Sequence, residues 1–208
     1  MRYLLVFVLV VVFIALYRRW QRVSRQRFLE RFELPAAVVE RARAKLPALT
    51  AEQEQLVQQG LQQYFQICLA ARGRFVSMPS QAVDVLWHEF ILFTRNYEHF
   101  CKRALGQYLH HTPAEAMPTR DTATEGIRRA WRLACKMEGI DPKQPQRLPL
   151  LFALDAQMGI AGGFIYALNC KDAATSSSGT FCASDIGSCG GGGDGGSSCG
   201  SGCGGGGD

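Results

Sequence analysis

The sequence predicts an all-α protein: an N-terminal transmembrane helix, a helical globular domain and a disordered Gly/Cys-rich tail. Three observations predict it. Tyr3 to Tyr17 is an uncharged apolar run, residues 35–158 carry apolar residues at helical spacing between capping signals, and thirteen of the 22 glycines fall between Gly187 and Gly207. The expected boundaries are 1–20 for the anchor, 21–34 for a basic juxtamembrane segment, 35–170 for the domain and 171–208 for the tail.

As a helix, the fifteen residues from Tyr3 to Tyr17 span about 22 Å, short of the ~30 Å hydrocarbon core. Tyr3, Tyr17 and Trp20 suit the headgroup level, and Arg2 and Arg18 can snorkel, which makes up the difference. The length also suits a cleaved signal peptide, but no small-x-small cleavage site follows Leu16. Instead come Arg18, Arg19, Arg22, Arg25 and Arg27. The positive-inside bias keeps that cluster cytoplasmic, so the expected topology is single-pass, N-terminus outside and domain cytosolic. The membrane is thus the first expected partner.

The charge is unevenly placed. Residues 1–45 hold ten Lys/Arg and three Asp/Glu, and residues 46–208 hold thirteen and fifteen. The domain is therefore near neutral, and no nucleic-acid partner is expected. No phosphate-loop, dinucleotide or serine-hydrolase motif is present, so nucleotide binding and acyl-enzyme chemistry are not expected.

Within the domain, Pro35 opens a helix over 35–45. Thr50 and Gln53 form a capping box for a helix over 51–72, closed by Gly73. An extended piece, Phe75 to Met78, leads through Pro79 and Ser80 to a second long helix reaching Ala104. Thr122 and Glu125 read as the capping box of a helix ending near Gly139. Pro149 opens a buried helix to about Met158, where Asp155, Gln157 and three glycines argue against a second membrane span. Nothing alternates strongly enough to predict a sheet.

Cys68, Cys101 and Cys135 fall on the helices as small core residues. Cys170, Cys182, Cys189, Cys199 and Cys203 have irregular gaps without a C-x-x-C pair, and a reducing cytosol makes a disulfide framework unexpected.

All four histidines lie between 88 and 111. On a continuous helix Asp84, His88, Leu92, Arg95 and His99 share one side, opposite a core face of Val83, Leu86, Phe90, Phe93, Tyr97 and Phe100. Trp87 and Ile91 flank that second side, so something should pack over it. Asp84 and His88 are one turn apart, the spacing at which a carboxylate orients an imidazole. With His110 or His111 from the following turn they offer a zinc or iron site. Leu92 stands where an H-E-x-x-H motif needs its second histidine. A hydrogen-bonded structural network and a catalytic role explain the same residues.

Pro79-Ser80, Ala82-Val83-Asp84, Trp87-His88, Tyr97, Phe100-Cys101 and Leu109-His110-His111-Thr112-Pro113 resemble the glycine-rich-domain-containing-protein-like family of bacteria and plants. The resemblance implies a helical domain with no assigned activity; the RNA-recognition signature of some plant relatives has no counterpart here. The expected function is a membrane-anchored, non-catalytic binding or scaffold module with a protein partner. The alternative is a metal-binding protein or metal-dependent enzyme built on Asp84, His88 and His110 or His111.

Overall fold

A computed structural model of the chain describes residues 1–112, 120–168 and 180–188. The chain is mostly helical, in the order α1 (Arg2–Glu30), α2 (Ala36–Lys45), α3 (Ala51–Ala71), α4 (Gln81–Leu92), α5 (Thr94–Ala104), α6 (Arg120–Glu138), α7 (Leu150–Met158), β1 (Ile165–Ala167), β2 (Thr180–Cys182) and α8 (Ala183–Ser188).

The apolar run and the basic segment form one helix. Residues 3–14 of α1 are exposed, and α1 is long and apolar enough to cross a membrane. Its far end belongs to the domain: Leu29 is buried, and its carbonyl accepts from Gln62 Nε2 at 2.7 Å. Phe28 and Phe32 join Phe65, Phe90 and Phe100 in an aromatic core, with Phe32 and Phe100 ring centroids 4.4 Å apart.

α3 forms where the capping box requires. Thr50 Oγ1 accepts from the Gln53 amide at 3.3 Å, and Gln53 Oε1 accepts from the Thr50 amide at 2.9 Å. Gly60 lets α3, α4 and α7 approach closely, since an added Cβ would lie 2.6 Å from Leu154 Cδ1 and 2.8 Å from Val83 Cγ2. α7 starts on borrowed caps: Glu138 Oε1 accepts from the Leu150 amide at 2.7 Å and Gln63 Oε1 from Leu151 at 3.3 Å.

The start of α4 is the most heavily bonded point. Asp155, buried on α7, accepts through Oδ1 from Ser80 Oγ at 2.6 Å and the Ala82 amide at 3.2 Å. Its Oδ2 accepts from the Gln81 amide at 2.6 Å and the Phe164 amide at 2.9 Å. One carboxylate thus satisfies two orphan donors of a helix end and a turn beyond α7. Further along α4, Glu89 is fully covered and meets Arg41 Nε at 2.7 Å and Lys45 Nζ at 2.6 Å, tying α4 to α2. Lys45 above all, then Arg41, holds the Glu89 carboxyl below its ordinary range against the opposing effect of burial.

Four expectations change. The long helix breaks at Phe93 (φ −83°, ψ 60°), whose amide bonds back to Phe90 at 3.1 Å, so Arg95 and His99 leave the His88 side. α6 begins at Arg120, which puts Thr122 and Glu125 inside the helix; Glu125 pairs with Arg129 at 2.7 Å. A short two-stranded parallel ladder, unexpected from the sequence, pairs Tyr166 with Phe181 beside an otherwise helical body. Finally, residues 180–188, expected in the tail, pack on the body: Ala183 is fully buried and Phe181 lies 5.5 Å from the Tyr166 ring. These few apolar side chains among serines and glycines supply that burial. The tail from Cys189 onward lies outside the described residues.

Asp155→Ala is expected to cost about 3 kcal/mol in denaturant melts, because buried N–H groups lose their acceptor. Glu89→Gln should cost about 1–3 kcal/mol near neutrality. A lowered carboxyl pKa stabilises the fold above the ordinary value near 4.5 and loses that contribution as pH falls through the folded value. The gap between wild type and Glu89→Gln should therefore narrow only below that pH.

Candidate metal centre

Asp84 and His88 project from consecutive turns of α4, with His88 Nδ1 3.3 Å from Asp84 Oδ2. The third member comes from the segment after α5. Trp87 Nε1 donates to the Tyr97 hydroxyl at 3.1 Å, and that hydroxyl donates to the Leu109 carbonyl at 2.6 Å. At the other end Arg25 donates to the Leu105 carbonyl at 3.0 Å, and Gly106 turns the chain at φ +78°. So held, residues 107–112 lie over α4, with the His111 ring 4.7 Å from Trp87 and 4.1 Å from His88. His111 Nε2 then stands 3.0 Å from Asp84 Oδ1.

One ligand atom from each of Asp84, His88 and His111 lies within 4.8 Å of the others. A tetrahedral ion with bonds of about 2.05 Å needs ligands roughly 3.3 Å apart. The His88 and His111 nitrogens stand 3.3 and 3.0 Å from different oxygens of Asp84, so gathering one atom of each residue around an ion requires the cluster to tighten from its spread of up to 4.8 Å. Two imidazoles and one carboxylate suit zinc, or ferrous iron in a facial triad. The Asp84 and His111 side chains are largely covered (18% and 15% exposed), whereas His88 is 46% exposed, so an ion could enter from solvent.

Of the two alternatives the sequence left open, the structure brings in His111. His110 is exposed, its ring tilted against Tyr108 with ring centroids 4.8 Å apart. His99 is also exposed, on the far side of the helix break. The side chain expected to cover Trp87 is His111 itself. The Trp87–Tyr97–Leu109 relay went unread in the sequence because it depends on the Phe93 break.

His111 and Trp87 also line a cleft of about 810 Å³ between α1, the segment after α3 and residues 105–112. Among the described residues, its wall includes Arg18, Arg22, Arg25, Arg72 and Arg74 and no Asp or Glu.

The cysteines take two forms. Cys68, Cys101 and Cys135 are buried free thiols, and burial raises all three pKa values, Cys68 and Cys135 to about 12. They are core residues, as expected. Cys182 is disulfide-bonded, against the expectation of reduced cysteines. Cys170, Cys189, Cys199 and Cys203 lie outside the described residues.

Residues 24–186 match the UCP032817-like family. The chain belongs to that family. Its members are uncharacterised, and the match overturns the resemblance to the glycine-rich-domain-containing family drawn from residues 75–113. The matched range runs through β2 and into α8, consistent with their packing on the body. No functionally curated protein and no solved structure matches the chain.

Tyr97→Phe removes the hydroxyl that links Trp87 to Leu109. Amide exchange in residues 107–112 should accelerate about tenfold, with α3 protection unchanged. Cys68, Cys101 and Cys135 should resist maleimide in the folded protein and react on denaturation.

Proposed function

We propose that the protein is a membrane-anchored metal-binding domain in which Asp84, His88 and His111 hold one zinc or ferrous ion. The observation that carries this reading is the convergence of their three ligand atoms within 4.8 Å, built from two separate chain segments. Hydrogen bonding to Oδ1 satisfies His111, and helical spacing sets His88 beside Oδ2; what supports a metal is that two imidazoles from separate segments meet at one carboxylate, their ring centroids 4.1 Å apart. With three protein ligands, a four-coordinate ion keeps one position for water or substrate, as a Lewis-acid centre requires.

α1 supports the anchor: 29 residues in length, it reaches about 43 Å, and its apolar part makes no contact with the core. We place the domain in the cytosol because the arginines from Arg18 to Arg27 follow the apolar run directly. The Cys182 disulfide is the observation against that side. The arginines take precedence because they act during insertion, before the fold exists. A recruiting role for the domain is the second reading, favoured by the burial of Leu29, which joins anchor and domain as one unit.

Full-length protein purified in detergent without chelator should retain close to one equivalent of zinc or iron. His88→Ala and His111→Ala should each lower retention at least tenfold with the helical circular dichroism intact, while His110→Ala should not. Acidification should release the ion, since both ligand types bind deprotonated. Metal below about a tenth of an equivalent in wild type, under several growth metals, would sink the proposal. For topology, an impermeant protease applied to intact cells should leave the domain whole; its digestion would put the domain outside.

A further inference from the structure

The arginine-lined cleft lies beside the metal cluster but does not depend on it. Arg18, Gln21, Arg22 and Arg25 recur at i, i+3, i+4 and i+7 on α1, so one helical face lines the cleft over about 10 Å. That face starts at Arg18, directly after the apolar run ends at Tyr17. Opposite it, Arg72 and Arg74 come from the segment after α3. Arg25 and Arg74 are partly engaged with the carbonyls of Leu105 and Ala71. The side chains of Arg18, Arg22 and Arg72 have neither an ion-pair nor a hydrogen-bond partner among the described residues.

Gathering five guanidinium groups around one cavity, with no acid among the described residues lining it, carries a repulsive cost. Arg72 adds a second cost. It is the one non-glycine residue with a left-handed backbone among the described residues (φ 55°, ψ 50°), at a helix end where glycine is the usual occupant. The like charge is offset when an anion occupies the site, and the left-handed backbone at Arg72 marks a position held for something other than local preference.

We infer that this cleft binds a phosphate-bearing anion, held by Arg18, Arg22 and Arg72. Guanidinium forks match phosphate oxygens bidentately, and the cleft is far larger than one phosphate group, so the phosphate would carry further atoms. The same chemistry is offered by a phospholipid headgroup at the end of the apolar run and by a soluble phosphate ester.

The test uses the full chain with EDTA present, so that a bound metal cannot act as the anion receptor. Binding of pyrophosphate to detergent-solubilised protein is measured by calorimetry. In parallel, protein in nanodiscs of phosphatidylcholine, alone or with an equal part of phosphatidylglycerol, is assayed for enrichment of the anionic lipid. Arg22→Gln/Arg72→Gln is compared with Arg19→Gln/Arg27→Gln, which removes as much charge from positions outside the cleft. Pyrophosphate binding weakened at least tenfold by the first pair only would identify a soluble ligand. Phosphatidylglycerol enrichment lost with the first pair only would identify a headgroup. Equal loss from both pairs would mean diffuse attraction to a basic surface and would overturn the inference, as would no binding in either arm. Intact circular dichroism in both double variants shows that loss of fold is not what is being read.

Discussion

The arrangement depends first on Asp155. An isolated carboxylate within a helix of leucines, alanine and phenylalanine is a costly thing to bury. It persists because four donors surround it: the Ser80 hydroxyl and the amides of Gln81, Ala82 and Phe164. That single group fixes where α4 starts and which way it leaves the extended segment before it. Asp84 follows one turn after Ser80 and His88 one turn after that, so the placement of both derives from the α7 carboxylate. The Glu89 pairings with Arg41 and Lys45 fix the other end of α4 against α2. Between these two clamps α4 has little freedom to rotate.

The third member of the cluster, His111, is held by different physics. His111 belongs to an irregular segment, and such segments keep a shape only if their polar groups are satisfied. Here the Trp87 indole and the Tyr97 phenol form a buried relay that captures the Leu109 carbonyl. Arg25 of α1 captures Leu105 four residues earlier. The anchor helix thereby participates in holding the segment that carries His111. The apolar helix, the basic cleft and the Asp84–His88–His111 cluster are in this sense one assembly, with α1 as the shared member.

Much of this was legible in the sequence where local rules dominate. The Thr50–Gln53 box, the α2 and α7 ranges and the apolar N-terminal helix each follow from short-range signals, and each is found in the structure. The Asp84–His88 pair was legible because helical spacing alone makes the two neighbours. The choice of His111 over His110 was not, since it depends on a backbone path fixed by contacts ten or more residues away. The break at Phe93 was equally hidden: no proline or glycine marks it, and Phe93 is held from outside, with the Arg41 guanidinium 5.9 Å from its ring. The β1–β2 ladder and α8 were obscured by composition, because Phe181, Ala183 and Ile186 are sparse among serines and glycines. Asp155 did carry a signal, a lone acid in an apolar helix. It was read only as an argument against a membrane span, when it also marked a buried helix cap.

Two donor sets would compete for one metal: the carboxylate and imidazoles of the α4 cluster, and the cysteines toward the C-terminus, of which Cys182 is disulfide-bonded. X-ray absorption at the metal edge of the full-length protein, loaded with one equivalent of zinc, separates them directly. The account predicts nitrogen and oxygen neighbours at about 2.0–2.1 Å, with outer-shell scattering from two imidazoles. A first shell of sulfur at about 2.3 Å would place the ion on cysteine and contradict the assignment to Asp84, His88 and His111.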